Sequence, residues 1–161
     1  MNTTRQKTAG ILDQGRPALL RLLQNGCVTS EDVAHLRRTV FSDRPPTRLE
    51  IEDLFAIDAV TRPALEAWVE FFVDIVTDHV VWDIRPTGVV DEAHAQWLIG
   101  KVDASQTMAG FAVLINVLDQ AHRVPRWFAA AVRARAAAGW PSLGDPLPSL
   151  RSVAAEQDCL V

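Results

Sequence analysis

The sequence predicts an all-α fold: a compact bundle of about six to seven helices, followed by a Pro-rich C-terminal tail. Apolar residues recur at helical spacing along most of the chain, and capping and turn residues divide this pattern into segments of helical length. No segment is a convincing strand. The best β-like run, residues 75–84, continues a helical stripe without a turn signal, so a helix is the simpler interpretation.

The first two predicted helices have clear start and stop signals. A leucine-rich stripe predicts a helix within residues 11–23, with a break or late start at residues 15–17. Gly26 follows as a helix-ending glycine. Thr29 can cap the free amides of a second helix, and Asp32 lies near the positive end of that helix.

The third and fourth helices follow the next turn. Thr47 and Glu50 have the spacing of a capping box, which predicts the start of the third helix. Residues 61–63 place a proline where a first helical turn tolerates it, so we expect a fourth helix to begin there and to run to Val81 or Asp83. Its apolar stripe is wide, which predicts a central helix buried on much of its circumference.

Three further helices and a tail complete the prediction. Periodicity predicts a fifth helix over residues 92–102, a sixth over residues 106–122 and a seventh opened by Pro125. From residue 139 onward, glycines and prolines break any helix. We therefore expect one helical domain over residues 1–138 and an irregular tail over residues 139–161.

Composition argues against several classes of function. The net charge of −4 disfavours nucleic acid as a partner, because phosphate binding needs a basic surface. No apolar stretch approaches the ~18 residues of a membrane helix, so no membrane contact is expected. The first residues lack the apolar run of a secretory signal, and the two cysteines favour a reducing compartment. These features together predict a cytoplasmic protein.

One pattern occurs three times: a tight turn, an extended residue, a polar cap and a helix. Recognisable runs accompany it within residues 22–125: Thr-Ser-Glu-Asp-Val at 29–33, Glu-x-x-x-Leu-Phe-Ala-Ile-Asp at 50–58, Trp-Val-Glu-Phe-Phe-Val-Asp-Ile-Val-Thr-Asp at 68–78 and Gly-Val-Val-Asp at 88–91. The repeated unit resembles the second half of an EF-hand. Over roughly residues 22–125, the chain also resembles small bacterial helical proteins of EF-hand-like or tellurite-resistance-B-like (TerB-like) fold. The resemblance implies helix-loop-helix units with degenerate loops, and it implies no defined activity.

Calcium binding can be tested against these loops residue by residue. An EF-hand loop needs oxygen ligands at its first, third, fifth and twelfth positions and a glycine at its sixth. Several ligand positions hold residues that are unsuitable as calcium ligands. These residues are Arg21 and Leu23 in the first loop, Phe41 in the second, and Arg85 and His94 in the third. Cationic and apolar side chains do not bind calcium. We therefore expect no calcium and no other cofactor.

Polar residues on the fourth helix form the most interesting candidate site. Asp74 and Asp78 are four residues apart and share a helix face, and His79 follows them. Residues nearby in the chain could complete a metal site of mixed nitrogen and oxygen ligands: Asp83, Asp91 or His94. The predicted ligands are Asp74, Asp78 and His94. The simpler interpretation is the solvated edge of an amphipathic helix, because no tight His/Asp motif is present.

No catalytic motif accompanies these residues, since the chain has no nucleophile elbow, P-loop or dinucleotide fingerprint. The sequence therefore predicts a non-catalytic interaction or scaffold module and not an enzyme. Its partner is expected to be another protein, bound by the tail or by an aromatic-lined groove. Core packing is the default for these aromatics, which are Trp68, Phe71, Phe72, Trp82, Trp97, Trp127 and Phe128. The alternative, by analogy with TerB-like proteins, is a metal-responsive or stress-related protein.

Overall fold

The structure, a computed structural model, describes residues 15–62 and 64–139, and within them the chain forms seven α-helices. Helices α2 and α4 each continue into a π-helical turn, Leu36–Val40 and His79–Asp83 respectively. The helices are α1 (Gly15–Asn25), α2 (Ser30–His35), α3 (Arg48–Val60), α4 (Glu66–Asp78), α5 (Glu92–Ser105), α6 (Met108–Gln120) and α7 (Arg126–Ala137).

The all-α prediction is confirmed, because the described residues contain these packed helices and no strand. None of the described helices is both long enough and apolar enough to cross a membrane. The predicted tail and the first 14 residues lie outside the described residues, apart from Gly139, so the predicted domain boundary stays a prediction.

Two capping boxes start α2 and α3, as the sequence predicts. The Thr29 hydroxyl accepts a hydrogen bond from the Asp32 amide at 3.2 Å, and the Asp32 carboxylate accepts one from the Thr29 amide at 3.0 Å. Thr47 and Glu50 exchange the equivalent bonds at 3.3 and 2.8 Å. Gly26, with a φ of +65°, ends α1 in the left-handed region that glycine adopts most easily.

Two predicted helix starts are wrong, and the local conformation of the chain explains both. The fourth helix starts at Glu66 and not at residues 61–63, because the Thr61 amide and hydroxyl both donate to the Ile57 carbonyl, at 2.9 and 2.8 Å, and so close α3. The sixth helix starts at Met108, after Gln106 turns into a left-handed conformation with a φ of +51°.

Helix α4 is the central helix, as predicted, and packs against α2, α3 and α6. Trp68, on its first turn, stacks on Phe72 with ring centroids 5.9 Å apart. Phe55 of α3 meets the same Phe72 edge-on at 5.0 Å. These rings are buried with aliphatic residues from every helix, so the core extends through the whole described bundle.

Backbone hydrogen bonds join the α4–α5 loop to the α6–α7 loop. The Val90 amide donates to the Arg123 carbonyl at 2.9 Å, and the His122 amide donates to the Gly88 carbonyl at 2.8 Å. The His122 ring lies against Gly88, where a Cβ atom would overlap it. Gly88 is therefore required both by this close approach and by its φ of +76°.

Candidate functional site

An internal ion pair occupies the loop that precedes α3. The Arg44 guanidinium donates to both Glu50 carboxylate oxygens, at 2.8 and 2.5 Å, while the Thr47 amide donates to one of them at 2.8 Å. Burial raises the pKa of Glu50, but these donors outweigh it and lower that pKa below its ordinary value. The charge of Arg44 is therefore directed inward, and Glu50 has a structural role.

A buried carboxylate, Asp58, joins three helices. It is 1 % exposed and accepts hydrogen bonds from the Trp68 indole nitrogen at 2.9 Å and from the Thr107 hydroxyl. Burial raises the pKa of Asp58, although both donors and the nearby Arg62 oppose that shift. Asp58 fixes α3 against α4 and α6, and it has no role in the sequence prediction. The signal was available, because Asp58 lies on the apolar stripe of α3, four residues after Leu54.

The acidic cleft lies between the loop at residues 41–46 and the C-terminal end of α4. Its cavity volume is about 390 Å³. Its lining combines apolar and acidic side chains, which distinguishes it from a purely apolar groove. The residues that line the acidic cleft are Phe41, Ser42, Asp43, Arg44, Pro45, Pro46, Ile75, Asp78 and Asp83.

The three carboxylates of the acidic cleft lack compensating cations. Among the described residues, Asp43 and Asp78 form no ion pair, and Asp83 has only His79 within range. Arg44, the one cationic side chain in the lining, is committed to Glu50. Burial raises the pKa of Asp78, and repulsion from Asp83 and Asp74 raises it further. The acidic cleft therefore carries excess negative charge that a cationic partner would neutralise.

His79 directly follows Asp78, which lines the acidic cleft, and one of its ring nitrogens has no partner among the described residues. The side chain is 8 % exposed, and Nδ1 makes no hydrogen bond to a described residue. The Pro46 carbonyl raises the pKa of His79, and because Nδ1 has no partner, we assign the ring N–H to Nε2, facing that carbonyl. Burial lowers the pKa of His79, and Arg48 and His94 lower it further, which favours the neutral ring. Nδ1 therefore presents a lone pair toward Asp83, whose Oδ2 is 3.9 Å away.

The three predicted metal ligands lie in separate contacts. Asp74 pairs with Arg37 at 3.4 Å, and His94 Nδ1 lies 2.8 Å from the Asp91 carboxylate. Asp78 alone lines the acidic cleft. Within residues 15–62 and 64–139, no three or more His, Cys, Asp or Glu side chains group as a metal site would require. The structure thus does not bring the predicted set together.

A second groove, between α4 and α6, has a cavity volume of about 450 Å³. Two of its polar groups have partners, since Asp74 pairs with Arg37 and the Asn116 amide donates to the Thr77 hydroxyl at 3.2 Å, while Glu70 forms no ion pair with another described residue. Val69 and Val73 supply its apolar surface. Among the described residues, the buried side-chain atom without a hydrogen-bond partner is His79 Nδ1, which does not belong to this groove.

Most of the aromatic side chains that sequence patterns suggest for a binding groove lie in the core. Trp68, Phe71, Phe72 and Phe128 are buried, and Trp97 and Trp127 pack partly against them. Trp82 is 40 % exposed, and its indole nitrogen donates to the Gln120 side chain at 3.0 Å. The acidic cleft contains one aromatic residue, Phe41, which these patterns did not single out.

Cys27 lies half-buried in the turn after α1 and is not a free thiol. The reducing-compartment argument therefore gains no support from it. Comparison with known proteins does not assign the site either: no family model, no curated protein and no solved structure matches the chain. The function must be inferred from the chain's own residues.

Proposed function

We propose that the chain is a non-catalytic interaction module that binds another protein at the acidic cleft. The observation that carries this proposal is the pairing of apolar surface with uncompensated charge. Phe41 and Ile75 provide contact area, and no Lys or Arg among the described residues forms an ion pair with Asp43, Asp78 or Asp83. Protein interfaces commonly combine an apolar centre with charges that select the partner.

The polar interior supports a structural and not a catalytic role for most buried groups. Glu50 and Asp58 accept hydrogen bonds from donors of the same chain. The Thr61 and Thr107 hydroxyls donate within the bundle as well. Among the described buried side chains, His79 Nδ1 is the polar atom without a partner. Catalytic groups are usually paired with each other and open to a substrate, and these are paired for packing.

The same proposal includes kinship with EF-hand-like or TerB-like helical proteins and a cytoplasmic location. The capped starts of α2 and α3 and the hydrogen bonds between the loops at Gly88 and Arg123 support the kinship. The location rests on composition alone. Fold kinship assigns no activity, so the binding function depends on the acidic cleft.

Site-specific crosslinking in the cells that make the protein tests the proposal. A photoreactive residue replaces Ser42 in the acidic cleft or, as a matched control, the exposed Arg133 on α7. We expect one stoichiometric crosslinked partner from position 42 and none from position 133. Substituting Asp78→Asn and Asp83→Asn together should abolish that product. Equal labelling from both positions, or no product from position 42, would contradict the proposal.

A metal-responsive protein is the second candidate function. It is favoured by the two carboxylates and the imidazole nitrogen at one end of the acidic cleft, although they do not form a complete ligand set. The test is thermal unfolding with and without calcium, zinc or manganese. A ligand that binds the folded state raises the melting temperature. An unchanged melting temperature with all three ions would exclude this candidate.

A further inference from the structure

We propose that the acidic cleft binds a lysine side chain of the partner protein, with its ammonium group held between His79 Nδ1 and the Asp83 carboxylate. This inference rests on the proposed function and specifies the chemistry of the partner. Its basis is a geometric conflict, because two hydrogen-bond acceptors face each other at 3.9 Å.

The conflict follows from the way His79 is held. Its Nε2 atom is committed to the Pro46 carbonyl, and its Nδ1 atom has no donor among the described residues. A neutral imidazole with one N–H has only a lone pair at the other nitrogen. Asp83 offers carboxylate oxygens, which also accept. Buried polar atoms without a partner are uncommon in proteins and call for a specific explanation.

A donor placed between the two acceptors would remove the conflict. With acceptors 3.9 Å apart, a nitrogen can lie about 2.9 Å from both, which is an ordinary hydrogen-bond length. An ammonium group has three donors arranged around one nitrogen, so it can serve both acceptors at once. A guanidinium group instead pairs best with the two oxygens of a single carboxylate, as Arg44 does with Glu50.

The residues around His79 and Asp83 favour a cationic side chain of a polypeptide over a free ion. Asp78 adds a second carboxylate, and its repulsion with Asp83 would fall when a positive charge enters. Phe41 and Ile75 can receive the alkyl part of a lysine and its apolar neighbours. A free metal ion would gain nothing from this apolar surface, and Asp78, Asp83 and His79 do not group closely enough to hold one.

Entry requires a local movement of Asp83. Nδ1 is not exposed to solvent in the structure. The Asp83 side chain is 28 % exposed and ends the π-helical turn, and Ile84 after it is extended. Because this side chain is partly exposed, its rotation can open a path to Nδ1. The Asp83 side chain rotates to admit the ammonium and then returns, so that the ammonium lies between the carboxylate and Nδ1.

The test uses the full chain, labelled with ¹⁵N, and two matched peptides. The probe is acetyl-Ala-Leu-Lys-Leu-Ala-amide, and in its control norleucine replaces lysine, which removes the ammonium and keeps the alkyl chain. We expect the lysine peptide to shift the His79 Nδ1 resonance, as donation to a lone pair does. The norleucine peptide should bind at least about tenfold more weakly.

Matched variants identify the atoms involved. Asp83→Asn and Asp78→Asn should each weaken binding of the lysine peptide about tenfold. Glu31→Gln removes one charge from an exposed position on α2 that does not line the acidic cleft, and should leave binding unchanged. The amide spectra of the variants confirm that each remains folded.

Several results would overturn the inference. Equal binding of the norleucine peptide would show that the ammonium contributes nothing. A shift of the same Nδ1 resonance by zinc chloride at a lower concentration than the peptide would indicate a metal site. Tighter binding of a peptide with the sequence of residues 1–14 would identify the occupant as a segment of this chain. None of these outcomes removes the Ser42 crosslink, whose absence alone would refute the proposed function.

Discussion

Nδ1 of His79 and Oδ2 of Asp83 lie 3.9 Å apart, one a buried lone pair and the other a carboxylate oxygen. Both atoms accept hydrogen bonds, and none of the described residues donates to Nδ1. Because burial lowers the pKa of His79, protonation of the ring at neutral pH does not resolve the contact. The end of α4 therefore holds an unmet requirement for a donor, directly beside the acidic cleft.

Asp83→Asn should stabilise the free protein. The new amide can donate to His79 Nδ1, and the repulsion between Asp83 and Asp78 disappears. A typical intramolecular hydrogen bond contributes about 0.5–1.5 kcal/mol, which is the gain we expect in the free energy of unfolding. Urea unfolding at pH 7 measures it, with Glu31→Gln as the charge-matched control. A loss of stability in Asp83→Asn would show that the carboxylate is already satisfied.

Asp58→Ala should be among the most damaging single substitutions. It would leave the Trp68 indole nitrogen and the Thr107 hydroxyl buried without acceptors, and a cavity would form between α3, α4 and α6. We expect a loss of about 2–4 kcal/mol in the free energy of unfolding. Asp74→Ala, which breaks the exposed pair with Arg37, should change it by less than about 1 kcal/mol. Similar effects for both variants would contradict the structural role of Asp58.

Two glycine-to-alanine substitutions should have opposite effects. A Cβ atom at Gly15 would overlap the Glu50 carboxylate and crowd Val40 and Arg44, so the ion pair must open. We expect a loss of about 1–3 kcal/mol for Gly15→Ala. Gly100 lies on the exposed side of α5 with no atom near its missing Cβ, so Gly100→Ala should gain about 0.5–1 kcal/mol from helix propensity. The melting temperatures of the two variants test this prediction. A higher melting temperature for both variants than for the native chain would contradict the close packing at Gly15.

The Glu50 ion pair should make stability depend on pH in acid. The pKa of Glu50 is lowered in the folded state, so its contribution is present above the unfolded pKa and is lost as the pH falls through the folded pKa. Protonated glutamate resembles glutamine. We therefore expect Glu50→Gln to be about 2 kcal/mol less stable than the native chain at pH 7, with a gap that narrows below about pH 4. Urea unfolding across this range measures it, and a gap that widens in acid would contradict the assignment.

Local sequence signals located the parts of the fold that depend on neighbouring residues. The capping boxes at Thr29 and Thr47 and the stop at Gly26 follow from residue types within one helical turn. The starts of α4 and α6 could not be predicted from such local signals. Thr61 closes the preceding helix by bonding to Ile57, four residues earlier. Gln106 turns left-handed just before Thr107, whose hydroxyl donates to Asp58, a residue distant in the chain.

The sequence indicates only one side of the candidate site. Asp78, His79 and Asp83 lie within one short segment, so their grouping on α4 was recognisable. The opposite wall, with Phe41 and Pro46, comes from a loop whose position depends on how α2 and α3 pack. His94, a predicted partner of Asp78, faces Asp91 instead, because both belong to the capped start of α5.

Competition at the acidic cleft tests the central claim most directly. The chain with a photoreactive residue in place of Ser42 is crosslinked to its partner in the presence of either the lysine peptide or the norleucine peptide. We predict that the lysine peptide suppresses the crosslinked product while the norleucine peptide leaves it intact at the same concentration. A product that persists at saturating lysine peptide would contradict the claim that the partner occupies the acidic cleft through a lysine.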